Sequence, residues 1–226
     1  MKILFRENTL NIFTDASVKQ KSNGNYISCP GAIAVMTKEY SEDGIGIIDH
    51  AYTVLDNATN NAGEIHAVYL GVLLALKYRD KFERINIISD SQFSIYGLTK
   101  WIYNWKNNIV NDNYISSSNK LVANQDMFKK IIHLILLNNI KINFYHQKGH
   151  AVGAVKKARQ VFNTSNGILL DDFELMLINK FNDIIDVFTG EKLDEPAIKF
   201  RHMLKYSARF NSRQYKELVN NRKPFC

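Results

Sequence analysis

The sequence predicts an α/β protein in which one mixed sheet of five strands, three antiparallel and then parallel, is flanked by helices. Strand-like segments follow one another closely near the start of the chain, with polar turns between them, as in an antiparallel meander. Further on, a strand pattern alternates with long apolar helical patterns, which is typical of parallel strands joined by helices. No repeat and no Pro- or Ser-rich linker interrupts the 226 residues. The chain is therefore predicted to form one domain with an extension.

The individual elements follow from local composition. β-branched and aromatic residues are frequent in five short segments, which are predicted strands: residues 9–18, 31–38, 44–55, 84–89 and 140–147. Four longer segments lack proline and are apolar at helical spacing: residues 60–80, 91–105, 124–138 and 171–188. The last of these starts with a capping pattern, Asp171 followed three residues later by Glu174. Residues 111–120 are predicted to be a polar loop.

Composition narrows the class of protein. At 46% hydrophobic and 12% aromatic residues the chain can bury a core. Its longest apolar run, residues 131–137, is far shorter than the roughly 20 residues that span a bilayer. The first ten residues, MKILFRENTL, are not expected to be a signal peptide. Two cysteines do not make a disulfide framework. We therefore expect a reducing, cytoplasmic location, no membrane partner and a monomer.

The positive charge is concentrated at the end of the chain. Residues 199–226 contain eight basic residues and one acid, and so carry the whole formal net charge of +7. A basic extension on a neutral body predicts a polyanionic partner. The alternative is a solvated tail helix without such a partner.

Three acids occupy unexpected positions in this pattern. Asp15 lies inside an apolar strand, Glu64 lies near the start of a largely apolar helix, and Asp90 directly follows the fourth predicted strand. Buried carboxylates repel one another unless a cation compensates them. Hard oxygen ligands suit Mg²⁺ or Mn²⁺, and two such ions about 4 Å apart support phosphoryl transfer. The alternative for each acid is a hydrogen bond within a turn.

Five segments of the sequence, taken together, favour the interpretation that the three acids bind metal ions. They are IFTDAS (12–17), ATNNAGE (58–64), INIISDSQ (85–92), KWIYNWKNN (100–108) and HQKGH (146–150). In order and spacing they resemble the ribonuclease H family of type 1, almost continuously over residues 9–150. The resemblance implies a ribonuclease H-like fold over residues 1–190, with residues 191–226 as a basic C-terminal extension.

The resemblance also implies roles for individual residues. Asp15, Glu64 and Asp90 correspond to the acids that bind two Mg²⁺ ions, with Mn²⁺ as the alternative ion. His150 corresponds to a histidine that assists water activation or product release. Thr59 corresponds to a hydroxyl of the phosphate pocket. The remaining correspondences are to groups that contact the RNA strand (Asn60, Asn61, Gln92) or the DNA strand (Trp101, Trp105, Lys106).

Each substrate-binding residue also has a purely structural interpretation. The two tryptophans are compatible with packing inside a helix, and Lys106 with an ordinary surface charge. Asn60 and Asn61 favour turns and helix caps. His150 is compatible with a loop residue that has no task.

The sequence departs from the family after KGH. The family's Asn-x-x-x-Asp pattern, which supplies a fourth acid, follows here only after an insertion, residues 151–177. We predict Asp183 as that acid because Asn179 and Asp183 lie four residues apart on one helical face. The rivals are Asp171, Asp172, Glu174 and Asp186. The basic residues of the insertion, Lys156, Lys157 and Arg159, suit a lid, a phosphate contact or an inert surface loop.

The resemblance implies a metal-dependent endonuclease that hydrolyses the RNA strand of RNA–DNA hybrids and leaves 5′-phosphate and 3′-hydroxyl ends. RNA would be distinguished from DNA by its 2′-hydroxyl groups. Two alternatives stay open. One is a DNA-cutting nuclease or transferase of the same fold, and the other is a hybrid-binding module without catalysis.

Overall fold

The computed structural model describes residues 4–37, 45–149 and 155–194, which form a six-stranded sheet with helices on both faces. His150 and the predicted basic extension beyond residue 194 lie outside the described residues. The strands are β1 (Thr9–Gln20), β2 (Tyr26–Thr37), β3 (Ile45–Tyr52), β4 (Leu55–Asp56), β5 (Arg84–Ser89), β6 (Ile109–Val110), β7 (Asn113–Tyr114) and β8 (Asn143–His146). The helices are α1 (Asn60–Tyr78), α2 (Gln92–Tyr96), α3 (Ile102–Trp105), α4 (Gln125–Leu137), α5 (Val155–Asn166) and α6 (Asp172–Asp194).

The sheet confirms the predicted fold class. Its order is β3-β2-β1-β5-β8, with the short β4 also paired to β2. The pairs of β2 with β1, β3 and β4 are antiparallel, and β5 is parallel to both β1 and β8. The sixth strand arises because the predicted strand 44–55 is divided into β3 and β4. The remaining strands, β6 and β7, form a separate small hairpin that overlaps the start of the region predicted as a loop, residues 111–120.

The central strands are apolar on both sides because both faces of the sheet are covered. Leu10 and Ile12 of β1 pack with α1 and α4, whereas Phe13 packs with α5 and α6 on the opposite face. Side chains alternate between the two faces of a strand, and a strand buried on both faces is apolar at almost every position. Asp15 is consequently the exception in β1 that requires a chemical explanation.

A ladder of asparagines fixes the register of the parallel strands. The Asn143 side chain donates to Asn86 Oδ1 at 3.0 Å, and Asn86 donates to Asn11 Oδ1 at 2.8 Å. Asn11 in turn donates to the Leu4 carbonyl at 2.9 Å. Asn11 and Asn86 are fully buried and pair directly across β1 and β5. Buried amides of this kind are costly to leave unpaired, so a shift of the strands would be penalised.

The segment predicted as one helix over residues 91–105 is interrupted. A π-helical turn, Gly97–Trp101, separates α2 from α3. Such turns change which side chains share a face of the helix. This change affects the two tryptophans of the segment, as described below.

The insertion contains a helix that the sequence reading does not predict. Helix α5 places Ala158 and Phe162 in the core under the sheet. Helix α6 then extends from Asp172 to Asp194, so the predicted domain boundary after residue 190 falls inside a helix. Within the described part of the chain, no helix is long and apolar enough to cross a membrane.

Candidate active site

Asp15, Glu64 and Asp90 meet at one end of the sheet. Carboxylate oxygens of the three residues all lie within 4.8 Å of one another. The parallel register explains the first contact: Thr14 of β1 is opposite Ser89 of β5, so Asp15 and Asp90 are the next residues on neighbouring strands. Glu64 reaches them from the second turn of α1. The structure thus brings together the three acids that the sequence predicts.

Burial and mutual repulsion govern the ionisation of these acids. Burial, followed by the charge of Asp90, raises the pKa of Asp15 to about 8. Burial and the neighbouring carboxylates raise the pKa of Glu64 well above its ordinary value. Among the described residues, every charge that shifts these two pKa values is another carboxylate. Acids held this way are partly protonated near neutral pH unless a cation is bound.

The cluster has the properties of a divalent metal site. The Glu64 Oε2 atom is buried and has no hydrogen-bond partner among the described residues, which is costly for a carboxylate. Asp15 Oδ1 accepts one hydrogen bond, from the Ala16 amide at 2.8 Å. An oxygen-only set of ligands suits a hard cation such as Mg²⁺ or Mn²⁺. The residues present therefore fit the ion that the resemblance implies.

A fourth acid, Asp186, approaches the cluster, whereas the sequence predicts Asp183 for this place. The Asp186 side chain hydrogen bonds with Asp15, and its charge raises the pKa of both Asp15 and Glu64. Asp183 is not among the groups that shift either pKa. The Asn-x-x-x-Asp pattern occurs twice in α6, as Asn179–Asp183 and as Asn182–Asp186, one helical step apart.

Buried polar contacts hold the face of α6 that carries the second pattern, Asn182–Asp186, against the sheet. Asn182 accepts a hydrogen bond from the Gln147 side chain, and both residues are almost fully buried. The Thr189 hydroxyl lies 3.0 Å from the Ser17 hydroxyl of β1. Asn182, Asp186 and Thr189 lie on one face of the helix because residues three and four apart are neighbours there. The helix therefore turns Asp186 towards β1.

Gly149 of the KGH segment lies directly beside Asp90. A Cβ atom on Gly149 would lie 2.2 Å from Asp90 Oδ2, so no other residue fits here without a shift of the acid. Gly63 of α1, next to Glu64, also permits a close approach that a side chain would prevent. A Cβ atom there would lie 2.1 Å from the Ser28 Oγ atom of β2, so glycine allows α1 to bring Glu64 close to the strands.

The predicted RNA contacts lie at two helix starts beside the acids. Thr59 caps α1, and its hydroxyl oxygen accepts from the Ala62 amide at 3.2 Å. Asn60 and Asn61 are the next two residues and are exposed. Gln92 is the exposed first residue of α2, two residues after Asp90. Their side-chain amides are thus accessible on both sides of the acid cluster.

The two tryptophans predicted to contact DNA differ in exposure. Trp101 is 37% exposed, whereas Trp105 is 7% exposed and packs edge-on against Phe128, with ring centroids 5.1 Å apart. Trp105 therefore lacks the free ring face that stacking requires, and packing is its structural role. Lys106 is exposed, with its Nζ atom 5.0 Å from the ring centroid of Tyr103.

A groove that the sequence reading missed lies beside Trp101. It has a volume of about 310 Å³, and both aromatic rings and serine hydroxyl groups line it. The lining includes Phe93, Trp101, Ser116, Ser117 and Leu121. Phe93 follows Gln92 directly, but the loop residues come from a polar stretch whose sequence gives no sign of this contact.

A model of the RNase H family matches residues 7–161 of the chain. Ribonuclease HI of Haemophilus influenzae is 41% identical over 93 residues, which are 41% of this chain and 54% of that protein. Ribonuclease HI of Pasteurella multocida is 32% identical over 142 residues, which are 63% of this chain and 79% of that protein. The match to the first of these relatives thus spans about half of its length.

Solved structures give the same fold. The solution structure of the PFV RNase H domain superposes with a TM-score of 0.50 at 18% identity, over 71% of this chain and 95% of that domain. A foamy viral protease-reverse transcriptase, solved in complex with dsDNA, also gives a TM-score of 0.50 at 18% identity, over 74% of this chain and all of that chain. At such identities the likeness concerns the fold alone.

Proposed function

Because the chain belongs to the RNase H family, we propose that it is a metal-dependent endonuclease that hydrolyses the RNA strand of RNA–DNA hybrids. The observation that carries the proposal is the convergence of Asp15, Glu64 and Asp90, whose carboxylate oxygens lie within 4.8 Å of one another. These acids are buried or half-buried, and burial together with the neighbouring carboxylates raises the pKa of Asp15 and of Glu64, which is an arrangement that favours binding of a cation. The family and the electrostatics support the same chemistry.

We propose that four acids hold two Mg²⁺ ions, with Mn²⁺ as a substitute. Asp15, Glu64, Asp90 and Asp186 are the ligands, and Asp186 replaces the earlier prediction of Asp183. When bound, such ions supply Lewis-acid stabilisation of the phosphoryl group and lower the pKa of water. The acids themselves must lose their protons for this role, which ties ion binding to pH.

The reaction is an in-line attack of water on a phosphorus atom of the RNA strand. The bond between phosphorus and the 3′ oxygen breaks, which leaves a 5′-phosphate and a 3′-hydroxyl end. We propose that His150, which follows Gly149 in the chain, assists water activation or product release. Such a proton-transfer role contributes about 10²- to 10⁴-fold.

Recognition of the hybrid uses both sides of the acid cluster. The exposed amides of Asn60, Asn61 and Gln92 can donate and accept hydrogen bonds, which suits the 2′-hydroxyl that distinguishes RNA from DNA. The Thr59 oxygen caps α1, but its O–H group is left to donate to a phosphate. We propose that the DNA strand crosses Trp101, the neighbouring groove and Lys106.

A parallel cleavage assay tests the proposal. Each strand of a hybrid, of duplex DNA and of duplex RNA is labelled in turn and incubated with the protein and Mg²⁺. We expect cleavage of the RNA strand of the hybrid alone, with ends that carry a 5′-phosphate, and no cleavage by Asp90→Asn. An intact hybrid, or preferential cleavage of duplex DNA, would contradict the proposal.

A further inference from the structure

At its last residue, the outer edge of β8 is capped by a side chain of the insertion. β8 is the last strand of the sheet order, and its final residue is His146. Asn166, the last residue of α5, accepts from the His146 amide at 2.9 Å and donates to the His146 carbonyl at 2.7 Å. The side-chain amide thus makes the two hydrogen bonds that a neighbouring strand would make. The same group donates to the Phe162 carbonyl at 2.8 Å, which ties it to its own helix.

The His146 side chain links the insertion to the acid cluster. Its Nε2 atom lies 3.2 Å from the backbone carbonyl oxygen of Asp90, and its Nδ1 atom lies 3.2 Å from the Ser165 hydroxyl. A carbonyl oxygen only accepts, so Nε2 carries the hydrogen, and in the neutral ring Nδ1 accepts from Ser165. The Tyr96 hydroxyl donates to the same Ser165 oxygen at 3.0 Å. The result is a directed chain of hydrogen bonds from Tyr96 through Ser165 and His146 to Asp90.

Asp90 is a residue for which such a contact matters. It lies immediately beyond the last residue of β5, where the register of β5 with β1 and β8 has ended. On its other side the backbone of Gly149 leaves no room for a side chain. A hydrogen bond to the Asp90 carbonyl therefore restricts the backbone at the residue whose carboxylate must point into the cluster. Metal ligands must be held to about 0.5 Å for function.

We propose that the end of α5, within the insertion, is part of the active site, with His146 as a positioning residue that holds Asp90 and with Ser165 and Asn166 as the groups that hold His146. The proposal rests on the metal-dependent function proposed above. The proposal gives a function to the insertion, which in sequence separates the KGH segment from the part of α6 that carries Asp186. The ligand concerned is the divalent cation, and His146 acts on it only through Asp90.

Paired substitutions at His146 test the proposal. His146→Phe keeps the ring volume but removes both nitrogens, whereas His146→Gln keeps a donor near the position of Nε2. Mn²⁺ affinity is measured by calorimetry on the substrate-free protein, hybrid affinity is measured in the presence of EDTA, and the melting temperature reports on folding. His133→Phe, at an exposed position of α4, is the matched control.

We expect His146→Phe to weaken Mn²⁺ binding about 10- to 100-fold, the range typical of groups that orient metal ligands. Hybrid affinity without metal should be unchanged, and His146→Gln should recover most of the Mn²⁺ affinity. Unchanged Mn²⁺ affinity in His146→Phe would overturn the proposal. A His146→Gln protein as weak as His146→Phe would also overturn it, because packing alone would then explain the loss.

Ser165→Ala provides a second route if His146→Phe does not fold. It removes one hydroxyl of the chain of hydrogen bonds, and we expect weaker Mn²⁺ binding at an unchanged melting temperature; wild-type affinity would overturn the proposal. The metal titration also separates this inference from the proposed function. A wild-type protein that binds Mn²⁺ but leaves the hybrid intact would contradict the function and leave the role of His146 open to the same measurement.

Discussion

The parallel backbone register of β1 and β5 brings Asp15 and Asp90 together, whereas side-chain contacts bring Asp186 to the same site. The first two acids follow directly from the parallel register of β1 and β5, which the buried pair Asn11 and Asn86 maintains. Asp186 reaches the same site from α6, whose position depends on contacts such as that between Gln147 and Asn182. A register shared by many backbone hydrogen bonds depends less on any one side chain than the position of α6 does, and His146 supports only its end, at Asp90. The two sides of the acid cluster should therefore respond differently to mutation.

The largest effect is expected for the three acids of β1, α1 and the end of β5. Asp15→Asn, Glu64→Gln and Asp90→Asn each remove a charge from the proposed metal site and nearly preserve volume. We expect each to lower hybrid cleavage by more than about 10³-fold, beyond the 10- to 100-fold typical of groups that only orient ligands. Melting temperatures should not fall, since each acid carries a burial cost in the metal-free protein. Full activity of any variant at saturating Mg²⁺ would exclude that residue as a ligand.

For the acid that α6 contributes, Asp186→Asn and Asp183→Asn form a matched pair of substitutions within one helix. We expect Asp186→Asn to lower cleavage at least about 10-fold, as for a group that orients or completes a metal site, and Asp183→Asn to retain nearly full activity. Initial rates at a fixed Mg²⁺ concentration measure both. A greater loss in Asp183→Asn would restore the first Asn-x-x-x-Asp pattern.

The sequence predicts the first half of the site well because its information is local. Each of Asp15, Glu64 and Asp90 lies in a short motif on one strand or helix, and the strand order brings the motifs together. The choice between Asp183 and Asp186 is not local. It depends on the burial of Asn182 opposite Gln147, which is 35 residues away in sequence. Two overlapping patterns in the same helix cannot be distinguished without that contact.

Other differences have similar physical origins. Trp101 and Trp105 look equivalent in sequence, but a π-helical turn ends at Trp101 and leaves Trp105 in the core. Helix α5 has few apolar residues, and its buried pair, Ala158 and Phe162, is too short a pattern to predict a helix from sequence. Its packing under β8 becomes visible only when the sheet is formed.

Substitutions of the two tryptophans are expected to have effects of intermediate size. We expect Trp101→Ala to weaken hybrid binding about 10-fold, in line with about 1–3 kcal/mol for stacking of one base on an aromatic ring. Trp105→Ala should instead lower the free energy of unfolding by about 3–5 kcal/mol, the usual cost of a deleted core aromatic. Fluorescence anisotropy with the Asp90→Asn background and urea unfolding separate the two effects. Equal losses of binding at unchanged stability would contradict the difference in burial.

The smallest expected effect is a pH-dependent change in the melting temperature of the metal-free protein. The pKa of Asp15 is about 8 when folded and 3.8 as an ordinary carboxyl group, so the folded state binds its proton more tightly. Stability from this group is therefore complete below about pH 4 and is lost as the pH rises towards 8. Asp15→Asn avoids this loss, so we expect it to raise the melting temperature relative to wild type more at pH 9 than at pH 5.

The control for this prediction is Asp112→Asn, at an exposed turn where the positive φ of 62° suits asparagine equally well. Its difference from wild type should be the same at both pH values. Saturating Mg²⁺ should reduce the advantage of Asp15→Asn at pH 9, because the ion compensates the buried charge of the wild-type protein. An advantage of Asp15→Asn that is larger at pH 5 would contradict the sign of the pKa shift.

The central claim is that the two sides of the cluster meet at one metal site. Anomalous diffraction at the manganese edge from crystals grown with Mn²⁺ tests it most directly. We expect manganese peaks between Asp15, Glu64 and Asp90, with an Asp186 oxygen at about 2.0–2.2 Å from one ion, the range for hard divalent cations. Asp183 should lie outside the coordination sphere. Manganese bound to Asp183 instead of Asp186, or no peak within the cluster at saturating Mn²⁺, would contradict the account.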